Sequence, residues 1–213
     1  MTIPVFDYRT DIANVVVHPE IRARFMRMEP GPAAPMHSHD LGGEIFLVLE
    51  GQCEFIVENE PVTCGPGQLI YIEPRVKHTL HAVGDGPCVV YLSVAPHVEP
   101  THTRYDDDDE PLPPRYASWR GKGFHDPNAD RSWADLAQSY ATSAHELAAR
   151  AQDNADAVAR HLAALEDDAA ASPASVKPTI DALWLRVRDA LQAASELERT
   201  WNELAPRGMP ADS

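Results

Sequence analysis

Short apolar segments separated by Gly, Pro and Asn clusters fill the first hundred residues, and this pattern restricts the fold more than any other feature. The segments are rich in β-branched and aromatic residues, which favour strands. They span residues 12–17, 22–28, 45–49, 53–57, 68–72 and 88–94. Short strands at such intervals are typical of a small antiparallel barrel or sandwich, so we predict a mainly β domain over residues 1–104.

Four candidate metal ligands lie among these segments, namely His37, His39, Glu44 and His78. Imidazole and carboxylate are the usual protein ligands of divalent first-row metals. His37 and His39 are two residues apart, so on a strand both point to the same face. A turn over residues 40–43 lets Glu44 rejoin that face. Burying such a set without a metal leaves several polar groups unpaired, so we expect a metal, and an empty site is the alternative.

The spacing around the first three ligands resembles the first motif of the cupin superfamily. That motif, Gly-x5-His-x-His-x4-Glu-x6-Gly, is matched at every fixed position from Gly31 to Gly51. The resemblance covers roughly residues 20–98. It leaves the C-terminal half of the chain unexplained.

The second cupin motif, Gly-x5-Pro-x-Gly-x2-His-x3-Asn, is matched in part. Gly67 and His78 are in place, whereas Glu73, Arg75 and Ala82 occupy the proline, second glycine and asparagine positions. The resemblance implies a cupin β-barrel of the double-stranded β-helix, or jelly-roll, type. It further implies one divalent transition metal per chain, Fe, Mn, Ni, Cu or Zn, held by the three histidines and Glu44.

An apolar pocket is expected beside this site. Phe46 and Val48 share the face of Glu44 on a regular strand, and Tyr71 is the third expected lining residue. Such a pocket favours an aromatic or alicyclic substrate over a bare dicarboxylate. Arg27 and Arg75 are candidates for positive charge near the site.

Three functions remain open at this point. The first is a dioxygenase-like oxidoreductase acting on a small molecule, in which Glu44 is a ligand and can act as a base when displaced. The second is a metal-dependent isomerase or lyase acting on a small sugar or keto acid. The third is a non-catalytic barrel that senses a ligand and signals through the C-terminal helices.

Charge and composition exclude other classes. A formal net charge of −15 argues against nucleic acid as a partner. No run of about 18 apolar residues marks a membrane span. The N-terminus lacks the features of a secretory signal, and Cys53, Cys64 and Cys88 show no CxxC spacing. These features favour the cytoplasm.

The remainder of the chain divides into a linker and a helical region. Residues 105–130 are rich in Pro and Asp, and their aromatic side chains are expected to pack on the barrel. Residues 131–206 show helical periodicity, with a capping signal at Ser132 and Asp135, a first helix to about residue 170, a break over 172–178 and a second helix. Two such helices predict an antiparallel hairpin, followed by a tail over 207–213.

We also expect a homodimer. The segments 45–49 and 89–94 are apolar on both faces, so their outer faces need cover, and a second copy of the chain would provide it. Cupin-like proteins are commonly dimers. The hairpin is interpreted as an oligomerisation or partner-binding element.

Overall fold

The computed structural model describes residues 3–117, 128–167 and 173–209, which fall into two compact units. Residues 3–117 and 205–209 form the first unit, and residues 128–167 and 173–204 form the second. The first is mainly β and the second is helical. The fold class therefore agrees with the sequence prediction.

Within the described residues, the first unit consists of two five-stranded antiparallel sheets. The strands are β1 Asn14–Val17, β2 Arg22–Met28, β3 His37–Ser38, β4 Gly43–Glu50, β5 Gln52–Val57, β6 Glu60–Cys64, β7 Leu69–Ile72, β8 His78–Val83, β9 Cys88–Ala95 and β10 Thr103–Arg104. One sheet has the order β1-β2-β9-β4-β7 and the other β10-β3-β8-β5-β6. This arrangement of two packed sheets is the predicted barrel.

The core lies between the two sheets and follows from the two-residue period of the strands. Along β4, Glu44, Phe46 and Val48 are buried, while the residues between them are only half-buried. The rings of Phe46 and Phe55, one from each sheet, have centroids 5.2 Å apart. Cys53, Cys64 and Cys88 are all buried in the same unit as free thiols.

Part of the outer face is covered by the N-terminal segment of the same chain. Tyr8 contacts Phe25 edge-on at a centroid distance of 6.3 Å, and Phe25 lies 5.8 Å from Tyr91 of β9. The outer face of β9 therefore obtains some of its cover without a second subunit. Leu69 and Tyr71 on the edge strand β7 remain exposed.

The described part of the predicted linker, residues 105–117, contacts the barrel. Tyr105 shares a 2.7 Å hydrogen bond with Ser38, and its ring lies 3.9 Å from the ammonium group of Lys77. The amide of Leu112 donates to the carbonyl of Arg104 at 2.7 Å. Trp119 and Phe124, which were also expected to pack here, lie outside the described residues.

The helical unit consists of α1 Trp133–Asp167 and α2 Pro173–Leu204, which form the predicted hairpin. The amide of Asp135 donates to Ser132 Oγ at 3.1 Å, so the predicted cap of α1 is confirmed. A buried 2.6 Å hydrogen bond joins Ser143 near the start of α1 to Thr200 near the end of α2. Contact between these opposite ends shows that the two helices run antiparallel.

The expected helix break over residues 172–178 is wrong for the part that the structure describes, because α2 begins at Pro173 and includes Pro178. Proline at the first helical position loses no bond, since that amide has no partner within a helix. Pro178 removes only the bond to the carbonyl of Ala174 in the first turn, where few other bonds depend on it. Residues 168–172, where α1 was expected to end, lie outside the description.

One face of α2 exposes four apolar side chains, which we call the α2 stripe. Their exposed fractions lie between 36% and 60%, and the members are Ile180, Trp184, Val187 and Leu191. Their spacing of four, three and four residues places them on one side of the helix. In the described parts of α1 and α2, no stretch is long and apolar enough to cross a membrane.

Candidate metal centre

The four predicted ligands converge on one point inside the barrel. One potential ligand atom from each of His37, His39, Glu44 and His78 lies within 4.8 Å of those of the others. His37 of β3 pairs directly with His78 of β8, and Glu44 approaches from β4 in the opposite sheet. The cluster therefore joins the two sheets across the core.

Hydrogen bonds to the main chain orient all three imidazole rings. The Nδ1 atom of His78 donates to the carbonyl of Val76 at 3.0 Å, and that of His39 donates to the carbonyl of Thr101. His37 makes a longer contact of the same kind at 3.5 Å, to Pro35. A ring that keeps its proton on Nδ1 can bind a metal through Nε2, in place of any hydrogen bond that Nε2 donates without the metal, and this arrangement is typical of metal-ligating histidines.

The Glu44 carboxylate lies at the centre of this arrangement. Its Oε2 atom is 2.8 Å from Nε2 of His39 and 3.0 Å from Nε2 of His78. Burial alone would raise the pKa of Glu44, but hydrogen bonds from His39 and His78 lower it further than burial raises it. Burial, followed by repulsion from His78, lowers the pKa of His37 to about 4. An ionised carboxylate and a neutral imidazole are the forms that bind metals.

This set of donors fits a divalent transition metal. Three imidazole nitrogens and one carboxylate oxygen point to a common centre, and the opposite side of each imidazole is occupied by a carbonyl. Such a shell suits Fe, Mn, Ni, Cu or Zn and leaves coordination positions open. The geometry is compatible with metal binding and does not identify the metal.

Two tight turns hold the ligands in place. A Cβ atom on Gly42 would lie 2.6 Å from Val94 Cγ2 and 2.7 Å from the carbonyl of Pro96. Only glycine therefore fits at position 42, in the turn between His39 and Glu44. The amide of Arg75 donates to the carbonyl of His39 at 2.7 Å. Arg75 adopts a φ of +69°, a conformation that glycine reaches without strain. The turn is therefore retained although arginine stands at the glycine position of the second motif.

A cavity of about 460 Å³ adjoins the centre, with His37 and Glu44 in its wall. We call it the site cavity. Of the three expected pocket residues, Phe46 lines it, whereas Val48 belongs to the packed core. Tyr71 pairs with Ile45 on the outer face of the sheet and is 54% exposed, so it lies away from the cavity.

The arginine residues that line the site cavity are not those expected from the sequence. Arg22 and Arg24 of β2 and Arg104 of β10 line it, whereas Arg27 forms an ion pair with Glu29 and has 47% of its side chain exposed. Arg75, the other candidate, is exposed in its turn. The alternation along β2 could have indicated Arg22 and Arg24, because residues 22, 24, 26 and 28 share one face of that strand. The wall is therefore more polar than expected.

His102 is a fourth histidine beside the centre. Its ring centroid lies 4.9 Å from those of His37 and His39, and it lines the site cavity. Burial, followed by repulsion from His39 and His37, lowers the pKa of His102 to about 2, so the ring is neutral. No motif spacing marks His102, which lies in the irregular stretch before β10.

Comparison with known proteins places the barrel in a family. Residues 24–94 match the family model of the cupin domain. An uncharacterized protein of Methanocaldococcus jannaschii is 32% identical over 57 residues, which cover 27% of this chain and 46% of that protein. The match thus spans less than half the length of that relative.

Solved structures resemble part of the chain. A protein with a double-stranded β-helix domain from Klebsiella pneumoniae is 18% identical with a TM-score of 0.41, covering 43% of this chain and 84% of that one. A cupin 2 domain-containing protein from Halorhodospira halophila is 24% identical with a TM-score of 0.39, covering 43% and 62%. The family match includes all four candidate ligands, so the part of the chain that carries the site is identified as a cupin domain.

Proposed function

We propose that this cupin domain is a metal-dependent, dioxygenase-like oxidoreductase that acts on a small molecule. The proposal is carried by a buried shell of three histidines and one glutamate that opens, through His37 and Glu44, on a cavity large enough for a ligand. Cavities of a few hundred cubic ångströms are typical of small-molecule sites.

The protein side chains have separate tasks in this proposal. His37, His39 and His78 hold the metal, with their rings fixed by main-chain carbonyls. The metal would supply Lewis acidity and, if it is redox-active, a path for electrons between substrate and dioxygen. Glu44 is both a ligand and a wall residue of the site cavity, so its carboxylate is placed to accept a proton from a bound substrate.

Metal analysis and oxygen uptake together test the proposal. Protein purified without a histidine tag should contain about one transition metal ion per chain, and the identity of that ion narrows the reaction class. Oxygen consumption should appear with at least one member of a panel of aromatic and alicyclic acids, and should be lost in His78→Ala. A protein that neither retains nor binds a transition metal would contradict the proposal, as would oxygen uptake that is unchanged in His78→Ala.

A metal-dependent isomerase or lyase is the second candidate. The arginines of the site cavity favour it, because sugar acids and keto acids carry the negative charge that such side chains bind. The two candidates differ in their need for oxygen. Product formation from such an acid under anaerobic conditions, with no uptake in air, would select the isomerase or lyase.

A further inference from the structure

We infer that the site cavity binds its ligand through a carboxylate group held by Arg22 and Arg24, with the apolar body of the ligand against Met26, Met28 and Phe46. The inference deepens the proposed function and rests on it only in placing the ligand beside the metal centre. It specifies which chemical group the ligand must carry and which residues recognise that group.

The alternation of β2 builds this surface. Arg22, Arg24, Met26 and Met28 all line the site cavity, since alternate residues of a strand share a face. The odd-numbered residues face outward, where Phe25 packs on Tyr91. Adjacent inward side chains are separated by roughly 7 Å along the strand, so two guanidinium groups can converge on one small anion.

Neither arginine is fully satisfied within the described residues. Arg22 is 2% exposed, its Nη1 atom reaches Asn14 Oδ1 only at 3.5 Å, and its Nε atom has no hydrogen-bond partner. The Nε atom of Arg24 is buried without a partner as well. Among the ion pairs of the described chain, none includes Arg22 or Arg24.

Burial lowers the pKa of both arginines, yet a guanidinium group stays charged at any ordinary pH. A buried charge without a partner is unfavourable, and an incoming anion removes that cost. The planar fork of arginine matches the two oxygens of a carboxylate and binds them with two parallel hydrogen bonds. An unpaired Arg24 beside a buried Arg22 is therefore a site prepared for a carboxylate.

The acidic neighbours do not fill this role. Glu44 and Glu99 act on Arg22 through longer-range attraction, but Glu44 is bonded to His39 and His78. No acidic neighbour contributes to the pKa shift of Arg24. Although the whole chain has a net charge of −15, three arginines and two glutamates line the site cavity.

Calorimetric titration of the full-length protein tests the inference, in the zinc-loaded form and after treatment with a chelator. The probes are benzoate, cyclohexanecarboxylate and hexanoate, with benzamide as the neutral counterpart of benzoate. Arg24→Met keeps an apolar stem and removes the charge. Arg27→Met is the matched control, because Arg27 lies on the same strand with its side chain facing outward.

We expect a carboxylate probe to bind and benzamide to bind at least tenfold more weakly. Arg24→Met should weaken carboxylate binding by about tenfold to a hundredfold, the usual effect of removing a charged hydrogen-bond partner. Arg27→Met should leave it unchanged. Arg24→Lys should recover part of the loss, because it restores the charge without the fork. Labelling of the three buried thiols at the wild-type rate checks that each variant is folded.

Several outcomes would overturn the inference. These are no binding by any of the three carboxylates at millimolar concentration, equal binding of benzoate and benzamide, or an Arg24→Met affinity equal to that of the wild type. Benzoate binding that disappears on chelation but persists in Arg24→Met would assign the carboxylate to the metal, overturning the inference and leaving the proposed function intact. Arg24-dependent binding in a protein that takes up no metal would support the inference and reject the proposed function.

Discussion

Replacing Gly51 by alanine should strongly destabilise the barrel. Gly51 ends the first motif, at the turn between β4 and β5, and has a φ of +72°. An added Cβ atom would lie 2.2 Å from the carbonyl oxygen of Pro87 and 3.0 Å from Cα of Cys88, and neither main-chain atom can move cheaply. The left-handed conformation costs alanine about 1–2 kcal/mol, and overpacking adds about 1–3 kcal/mol. We therefore expect a loss of about 2–5 kcal/mol.

Two other glycines separate these contributions. Gly84 has a φ of +87°, but no heavy atom lies within 4 Å of its added Cβ, so Gly84→Ala should lose only the backbone contribution of about 1–2 kcal/mol. Gly86 has neither a left-handed backbone nor a close contact. Gly86→Ala should be nearly neutral, or slightly stabilising through the unfolded state. The difference between Gly51→Ala and Gly84→Ala isolates the contact with Pro87.

The cysteines provide an assay specific to the barrel. All three cysteines of the chain are buried in that unit, whereas Trp133, Trp184 and Trp201 lie in the helices. Native-state thiol labelling thus reports opening of the barrel, with about a tenfold faster rate for each 1.4 kcal/mol of stability lost. Gly51→Ala should be labelled at least about tenfold faster than Gly84→Ala if the steric contribution exceeds about 1.4 kcal/mol. Equal labelling rates for the two variants would refute the steric argument.

Three further outcomes are expected. His78→Ala should lose about a hundredfold or more in metal affinity, because roughly 10–16 kcal/mol shared among four ligands is about 2.5–4 kcal/mol each. His81→Ala on the same strand is the control in a chelator competition, and equal affinities would reject the assignment. Arg75→Gly should slow thiol labelling slightly by relieving the left-handed backbone at φ +69°, and faster labelling would contradict this. Light scattering at tens of micromolar should show a homodimer that dissociates in Leu191→Glu, and a dimer that survives would place the interface elsewhere.

We propose a second copy of the chain as the cover of the α2 stripe, on the basis of its pattern and its flanking charges. A spacing of four, three and four residues is that of a coiled-coil seam. Asp181 and Arg188 follow the first and third members of the stripe, so they flank it on the same side. If two α2 helices pack antiparallel about a twofold axis near residue 185, Asp181 of each copy faces Arg188 of the other. The same patch is then complementary to itself, as a twofold interface requires.

The metal centre could be predicted because its information is local. His37 of β3 and His39 directly after it are two residues apart, a spacing that places both on one face of an extended chain, and the turn before Glu44 is marked by two glycines. Tyr71 could not be placed in the same way. Which face it occupies depends on the register of β7 against β4, where Tyr71 pairs with Ile45, and a shift of one residue reverses every side chain. No pattern within residues 68–72 determines that register.

His102 shows a second limit of local patterns. It reaches the centre because it directly precedes β10, which pairs with β3. The other neighbour of β3 in this sheet is β8. The chain between β9 and β10 is irregular, so its path cannot be read from periodicity. Pro178 shows the reverse case, since its local signal was strong and the helix nevertheless continues through it. The tertiary structure decides the position of His102, whereas the helix tolerates Pro178 because that residue lies close to the start of α2.

The chemistry of the site cavity depends on the register of one strand. Arg22 pairs with Val94 and Arg24 with Leu92 across β2 and β9, and this pairing turns both arginines inward. In the opposite register the same strand would present Ala23, Phe25 and Arg27, and the wall would be largely apolar. Salt screens the repulsion between the acidic exterior and an anion once the two are more than roughly 8 Å apart in physiological buffer. Within the cavity, nearby guanidinium groups in a poorly solvated wall dominate the field, so a net charge of −15 does not argue against an anionic ligand.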